Sequence, residues 1–505
     1  MPTKHIQHPI IRYKMKILKA VIFILFLVIS VLTYTYALNK SNVPTKKQEI
    51  NSVNRFPMDE SVIKPDEEGV RYIIDKAFDL KGSTIKIPKG CVLYFAGGTI
   101  SNGVLHSEGA TIEAPACEIF STDVKLTGYW QNHTIPVEWY GAVGDDKTNS
   151  TDAINAAINN TTISAVSLIA GGKYVITSAI KMRSSQLAFG CFEVNYSHED
   201  SPAAYIYSDC PDNIMEFPKG EGVKGINLKG LVLRKRWKYN YQGDGIHIEG
   251  GGINRSSFDG VRVYYCDHGY YQRFGKGYKG YSLNKMQNCV LSGCRYGFML
   301  EHAEGGKYSY WVNLNSWDNC HFGFNLREGL SIKNVYSCEQ NLFSSCGFEG
   351  VSMDENTKWN NDYDICSVRL NGQGYGVTTF LNCYFERNHP KHAKLKASSK
   401  LNEISKACVA DVIVEGCLTV FDKCTFNEGI TPIVVRNGYV GIKMEDCVFR
   451  VDYDSDYPVL FKNIQPQFID DNSFFYLDTH FISPKYKGNL YKELNCAVSN
   501  IMQVN

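Results

Sequence analysis

The sequence predicts an all-β solenoid in which each repeat contributes a short strand stacked on the next, and three observations lead there. The first is a register that occurs seven times between Val263 and Phe449: an apolar residue, two variable residues, Cys, one variable residue, then a ring. The copies are Val263-x-x-Cys266-x-His268, Leu291-x-x-Cys294-x-Tyr296, Trp317-x-x-Cys320-x-Phe322, Phe343-x-x-Cys346-x-Phe348, Phe380-x-x-Cys383-x-Phe385, Phe421-x-x-Cys424-x-Phe426 and Met444-x-x-Cys447-x-Phe449. The second is the Cys-to-Cys step of 28, 26, 26, 37, 41 and 23 residues, the size of one solenoid coil. The third is the in/out alternation on either side of each Cys, without the 3.6-residue period that helical repeats would need.

The register also indicates what the cysteines do. The chain has 17 of them in 505 residues, an odd number in a protein too long to depend on disulfide staples, and no Cys-x-x-Cys pair suggests zinc. Each repeated Cys is two residues from an inward ring and so is expected to face inward, as a small apolar side chain stacked on the next.

Net charge is +1 with 21% charged residues, so nothing global calls for nucleic acid or an anionic surface. Tyr is abundant, with 32 residues, and suits both strands and stacking on sugars. Arg12, Lys14, Lys16 and Lys19 precede the apolar run from Ala20 to Leu32, and Thr35-Tyr36-Ala37 follows as a cleavage site. Residues 1–37 are therefore expected to be a signal peptide, or a single-span anchor at residues 17–37, with Met1 or Met15 as the start. Either way the body is expected to be exported, with a membrane met only through that anchor.

Residues 38–70 read as a polar linker. Residues 71–135 carry short alternating runs such as Thr84-Ile85-Lys86-Ile87 and Cys91-Val92-Leu93-Tyr94-Phe95, broken by Gly97-Gly98 and Asn102-Gly103, and predict a small β module. Next come Val137-Glu138-Trp139-Tyr140-Gly141-Ala142-Val143-Gly144-Asp145-Asp146 and Thr151-Asp152-Ala153-Ile154-Asn155-Ala156-Ala157-Ile158. Glycines predict a tight turn, Thr151 a helix cap, and Ile154, Ala157 and Ile158 one apolar helix face that could plug the end of a solenoid.

This stretch resembles the entry motif of the pectate-lyase superfamily, in its rhamnogalacturonase/epimerase-like branch: an aromatic-Gly-Ala-x-Gly-Asp turn, then an Asp/Thr-rich helix start. Asp146 stands where that pattern usually has a second Gly, and Asn149-Ser150 depart from its acidic helix entry. The resemblance implies a single-stranded right-handed parallel β-helix that acts on, or binds, polysaccharide. On this reading the β-helix occupies residues 136–465 and a C-terminal cap residues 466–505.

With Cys and the following ring inward, the third position after Cys gives an outward column of Gly269, Gly297, Gly323, Glu349, Glu386, Asn427 and Arg450. Glu349 and Glu386 fall on successive coils and are the first candidates for a catalytic acid and base, since stacked like charges separate their proton affinities. Arg295, His321 and Tyr384, at the first position after Cys, are expected beside them. The long steps after the two glutamates exceed the 26-residue step by 11 and 15 residues, enough for loops that wall a cleft. The first loop carries Asp354, Glu355, Trp359, Asp362 and Asp364. The second is rich in lysine, including Lys394 and Lys396, which suggests an acidic glycan. Candidate substrate-binding residues are thus Arg295, His321, Tyr384, Trp359, Lys394, Lys396, Asn427 and Arg450.

The second-choice catalytic pair is Asp244 and Asp267. Gly243-Asp244-Gly245-Ile246-His247 resembles the first polygalacturonase motif, although the Asp pair, Gly-His-Gly and Arg-Ile-Lys of that family are missing. The aromatic and basic stretch from Tyr264 to Phe274 could line a sugar groove or an interface. Calcium at the acidic residues 354–364 is conceivable, as in classical pectate lyases, but their spacing matches no ordered calcium loop, so no metal or other cofactor is expected. The expected function is cleavage of an acidic polysaccharide, by hydrolysis before β-elimination. The alternative is a non-catalytic glycan-binding or adhesin-like scaffold.

Overall fold

Each coil of the solenoid turns three corners in one way: a residue with positive φ, then an inward residue that stacks on its counterpart a coil away. These inward corner residues recur every five positions. In successive coils they are Ser256, Val261 and Cys266; Asn284, Cys289 and Cys294; Asn315, Cys320 and Asn325; Asn341, Cys346 and Val351. The residues just before them, such as Leu283, Asn288, Leu314, Asn319, Phe324 and Ser345, have φ of 51–58°. A single left-handed residue bends an extended chain sharply while the residues on each side stay extended.

The structure is a computed structural model that describes residues 52–56, 68–160, 165–183, 191–193, 203–275, 280–302, 310–351, 364–372, 376–386, 409–415, 417–427, 433–436, 441–450, 459–462, 475–482 and 487–489. Three long parallel sheets, here called faces A, B and C, run along the solenoid. Face A stacks strands from Thr134–Pro136 through Ser257–Asp259, Lys285–Gln287, Ser316–Asp318 and Asn341–Ser344 to the first half of Gly441–Arg450. Face B starts at Asp145–Asn149, rises through Ala204–Ser208, Leu231–Lys235, Arg262–Tyr264 and Val290–Ser292, and continues across a bridge at His321 to Gly347–Glu349, Tyr384–Glu386 and Thr425–Asn427. Face C includes Ile246–Glu249, His268–Phe274, Tyr296–His302, Glu328–Val335 and Ile365–Gly372. A short fourth sheet precedes face A. The fold is the expected all-β right-handed parallel β-helix.

The sevenfold register proves to be two registers. Val263 pairs with Leu291, the Leu291 N–H donates to His321 O, and Phe322 stacks on Phe348. Val263, Leu291, Phe322 and Phe348 therefore form one inward column, and Cys266 and Cys294 belong to the following corner, between faces B and C. The ladder between faces A and B is Cys289, Cys320, Cys346, Cys383, Cys424 and Cys447, each buried. Because all corners have the same five-residue build, a shift by one corner leaves the local pattern intact. This shift moves His268 and Tyr296 outward, takes Gly269 and Gly297 out of the glutamate column, and separates Arg295 from the row of His321 and Tyr384.

The ladder thiols have a packing role. The Cys289 thiol lies within reach of Gln287 O (3.2 Å) and Phe258 O (3.4 Å), and the Cys346 thiol within reach of Ser344 O and Trp317 O (both 3.4 Å), all carbonyls of face A strands; Gln287 O and Ser344 O also accept the Gly260 and Asn319 N–H groups. Beside them Phe343, Phe380 and Phe421 stack at 4.7 and 5.2 Å. Burying each ring contributes on the order of 1.5–3 kcal/mol. At the entry to face A, Asn284, Asn315 and Asn341 form an amide ladder, Asn315 Nδ2 donating to Asn341 Oδ1 (2.9 Å) and Tyr281 O (2.9 Å).

The N-terminal β module is itself wound in parallel: Val70–Ile74 pairs with Val92–Phe95, that strand with Val104–Glu113, and Val104–Glu113 with Lys125–Trp130. Helix α1 (Thr151–Asn159) buries Ile154 and Ala157 completely, and Asn160 Oδ1 accepts the Leu126 N–H (2.6 Å), tying helix to module. Thr151 is the first helical residue and not the cap; Asn149 Oδ1 accepts its N–H at 3.1 Å, while Thr151 Oγ1 accepts the Thr177 N–H. Asp146, standing where a Gly is usual, still adopts φ 67° and pairs with Arg236. At the C-terminal end, Phe475–Ile482 adds in parallel to Gly441–Arg450, and Lys487–Asn489 pairs antiparallel with it.

Candidate active site

A buried polar site lies at the corner between faces B and C. Asp244 opens the strand Ile246–Glu249, with its N–H held by Asn213 Oδ1 (2.8 Å) and its carbonyl by the Ile214 N–H (2.7 Å). Its side chain is 8% exposed and is bonded to two imidazoles: His247 Nδ1 at 2.6 Å from Oδ2, and His268 Nδ1 at 2.7 Å from Oδ1. Oδ1 also accepts the His268 backbone N–H at 3.1 Å. Burial would raise the Asp244 carboxyl, but the bonds from His247 and His268, and their charge, outweigh it and hold the group at about 2. A carboxylate only accepts, so each Nδ1 carries a proton, and in the neutral ring Nε2 is the nitrogen with the lone pair.

Asp267 lies on the next coil, 3.6 Å from His268 Nδ1 and paired with Arg295. Burial raises its carboxyl against the opposing charges of His268 and Arg295. Arg327 stands above, donating to Tyr296 OH at 2.9 Å. Aromatic rings hold the imidazoles in place: His268 stacks on Tyr296 (4.8 Å) and Tyr271 (4.5 Å), and Tyr271 donates to Glu301 at 2.5 Å. Beneath the corner lies the buried ammonium of Lys235, bonded to Ser208 Oγ (3.1 Å), Cys210 O (3.0 Å) and Asp212 O. Burial lowers the proton affinity of this ammonium against the opposing field of nearby acidic groups.

Among the described residues, Asp244, Asp267 and His268 are the group whose ligand atoms, all within 4.8 Å, could hold a cation. In this group His268 Nδ1 is bonded to Asp244, which leaves Nε2 as its other ring nitrogen.

The first-choice pair forms a more open site on face B. Glu349 and Glu386 are register partners on adjacent coils. His321 Nε2 is 2.5 Å from Glu349 Oε1, and Asn427 Nδ2 donates to Glu386 Oε1 and Tyr384 OH, both at 3.1 Å. Burial and the Glu386 charge raise the Tyr384 phenol. The side chains of His321 and Glu349 are 28% and 34% exposed, so the row faces solvent. Arg450 is the register partner of Asn427 on the next strand.

The structure thus gathers Glu349, Glu386, His321, Tyr384 and Asn427, and separately Asp244, Asp267 and Arg295. Trp359, Lys394 and Lys396 lie outside the described residues, as do 354–363 of the acidic stretch. Asp364, its last member, is bound to Arg369 (2.6 Å), which also pairs with Glu328 and Glu415. Tyr296 and Arg327 were not expected at a site, and His247, His268 and Tyr271 fell within the candidate stretches Gly243–His247 and Tyr264–Phe274 without an assigned role. The signal for them was the five-residue corner spacing, which turns His268 and Tyr296 outward.

Residues 134–190 match a family described as rhamnogalacturonase A/epimerase, pectate lyase-like. No curated protein sequence matches the chain. Among solved structures, the gp42 tailspike of Acinetobacter phage vb_AbaP_AS12 is similar at 12% identity and TM-score 0.46, over 70% of this chain and 59% of the tailspike. The A-module of the Azotobacter vinelandii mannuronan C-5 epimerase AlgE4 is similar at 13% identity and TM-score 0.38, over 69% of this chain and 97% of the module. PfbA, a surface adhesin of Streptococcus pneumoniae, is similar at 11% identity and TM-score 0.32, over 69% of this chain and 93% of its own. The chain thus spans less than two thirds of the tailspike. No helix among the described residues is long and apolar enough to cross a membrane, and residues 17–37, expected as leader or anchor, lie outside them.

Proposed function

We propose that this protein is an exported enzyme acting on an acidic polysaccharide at the Asp244 corner. The observation that carries the reading is the pair of hydrogen bonds from His247 and His268 to one buried carboxylate, which would orient two imidazoles as bases beside a cation-flanked acid. Asp244 positions them, as an ionised carboxylate positions the histidine of a catalytic triad. Arg295 and Arg327 suit the carboxylate of a uronate, and neutralising that group acidifies the adjacent C–H.

His268 Nε2 would then take the proton α to the carboxylate, the electron pair would form a carbon–carbon double bond, and the glycosidic C–O bond would break. Asp267, whose proton affinity burial raises against the opposing charges of His268 and Arg295, would deliver a proton to the departing oxygen when it enters the step protonated. This favours β-elimination over the expected hydrolysis, since Asp244 is engaged by two histidines and unavailable as a nucleophile. A second reading places hydrolysis at Glu349 and Glu386; their register pairing, with separate partners, supports it.

The test is a panel of uronic-acid polysaccharides incubated with wild type, D244N and E386Q, following reducing ends and unsaturated uronate together. Formation of both products, lost in D244N, supports the first reading. Reducing ends alone, lost in E386Q, favour the second. Binding without either product favours a glycan-binding scaffold.

A further inference from the structure

We propose that the lower coils of face B form a binding strip for anionic sugars, built from Tyr207, Arg234, Tyr264, Tyr265, Arg262 and Trp237, that leads an acidic glycan chain to the Asp244 corner. This inference rests on the proposed action on acidic polysaccharide. Tyr207, Arg234 and Tyr264 are register partners on three successive coils. The same outward row continues through Ser292, next to the His321 bridge, and higher up contains Glu349 and Glu386. Neighbouring strands are about 4.8 Å apart, so the row is a straight line of side chains along the solenoid.

Two of its cations are free to receive a ligand. Arg234 and Arg262 are exposed and make no ion pair among the described residues. Two neighbours differ: Arg236 lies over the Tyr207 ring at 4.5 Å but is paired with Asp146, and Lys238 is paired with Asp209 at 3.0 Å. The Arg234 guanidinium lies 4.9 Å over the Tyr265 ring, which holds its plane and leaves its N–H edge for a carboxylate. Tyr265 is itself locked, its carbonyl accepting the Tyr241 N–H at 2.8 Å and its φ at 62°.

Trp237 supplies the apolar platform. It sits on the loop from Lys235 to Asp244, between strip and corner, and is 87% exposed. An indole held open on a short 3₁₀ turn offers a flat face to a sugar ring. The chemistry fits best a glycan whose carboxylates alternate with neutral sugars, as in hyaluronan, and fits single-stranded nucleic acid less. A phosphate at every residue calls for a run of cations, and the strip has two free guanidiniums on a chain of net charge +1.

The experiment measures Kd of the full chain for alginate, polygalacturonate and hyaluronan, for the carboxyl-reduced form of the tightest of them, and for poly-dT. R234A/R262A and W237A are each expected to weaken the tightest acidic polymer at least tenfold with melting temperature held, W237F to recover most of the loss, and carboxyl reduction to reproduce the arginine effect. Wild-type affinity in both variants overturns the strip and leaves the proposed activity standing, since D244N turnover judges that separately. Tighter binding of poly-dT, or equal binding of the reduced polymer, overturns the ligand class. Failure to bind any of the acidic polymers overturns both strip and activity.

Discussion

Glu349 and Glu386 are register partners on adjacent coils of face B, yet each carboxylate has its own partner, His321 for one and Asn427 for the other. Each carboxylate thus keeps its own hydrogen bond. With the chemistry at Asp244, Glu349→Gln and Glu386→Gln should each lower turnover less than tenfold and leave the melting temperature nearly unchanged. A loss of about 10²-fold or more in either, the usual worth of a general acid or base, would move the centre to this row.

Asp244→Asn should lower turnover by about 10²-fold or more, because an amide presents a donor to one Nδ1–H and turns that imidazole to the wrong tautomer. His268→Ala should cost at least as much. Circular dichroism and melting curves separate this from unfolding. Wild-type turnover in either variant would remove the corner from the chemistry.

Asp244 also predicts a pH dependence of stability. Its carboxyl falls from an ordinary 3.8 to about 2 in the folded protein. Its contribution, about 2 kcal/mol, is therefore complete above the unfolded value and is lost as pH drops through the folded one. Between about pH 4 and pH 2, wild type should lose more unfolding free energy than Asp244→Asn by that amount. Parallel curves would show that the two histidine bonds do not stabilise the fold.

Alkylation of the native protein should leave Cys266, Cys289, Cys294, Cys320, Cys346, Cys383, Cys424 and Cys447 unmodified until it is unfolded. All are buried, and burial pushes the Cys266 thiol up, away from the reactive thiolate. Cys320→Ala should cost about 1–2 kcal/mol in urea unfolding with glycan binding unchanged. Rapid labelling without denaturant would contradict the ladder.

Asn315→Leu should be more damaging than the Cys change. Asn315 is 2% exposed, and its loss strips partners from the Asn284 N–H and the Tyr281 carbonyl together. Each orphaned buried group costs about 1–3 kcal/mol, so a total of at least about 2 kcal/mol is expected. A change below about 0.5 kcal/mol would mean that water replaces the ladder.

The architecture was legible in the sequence because a solenoid repeats one local rule: alternation along a short strand, then a bend. Trp317, Cys320 and Phe322 announce that rule within six residues, and so do their counterparts above. The pairing of Glu349 with Glu386 followed from it, since both coils were counted from the same corner. What the sequence alone left undecided is which corner a given Cys occupies. Ser256, Val261 and Cys266 are equivalent by local geometry, and only pairing between coils, Val263 with Leu291, distinguishes them. A shift of five residues keeps Cys inward at a corner while exchanging one corner for the next, and it turns the rings two residues after Cys266 and Cys294 outward. The Asp244 site depends on that choice, because Asp244, Asp267, Arg295 and Arg327 come from four coils and meet only when the coils stack in the correct register.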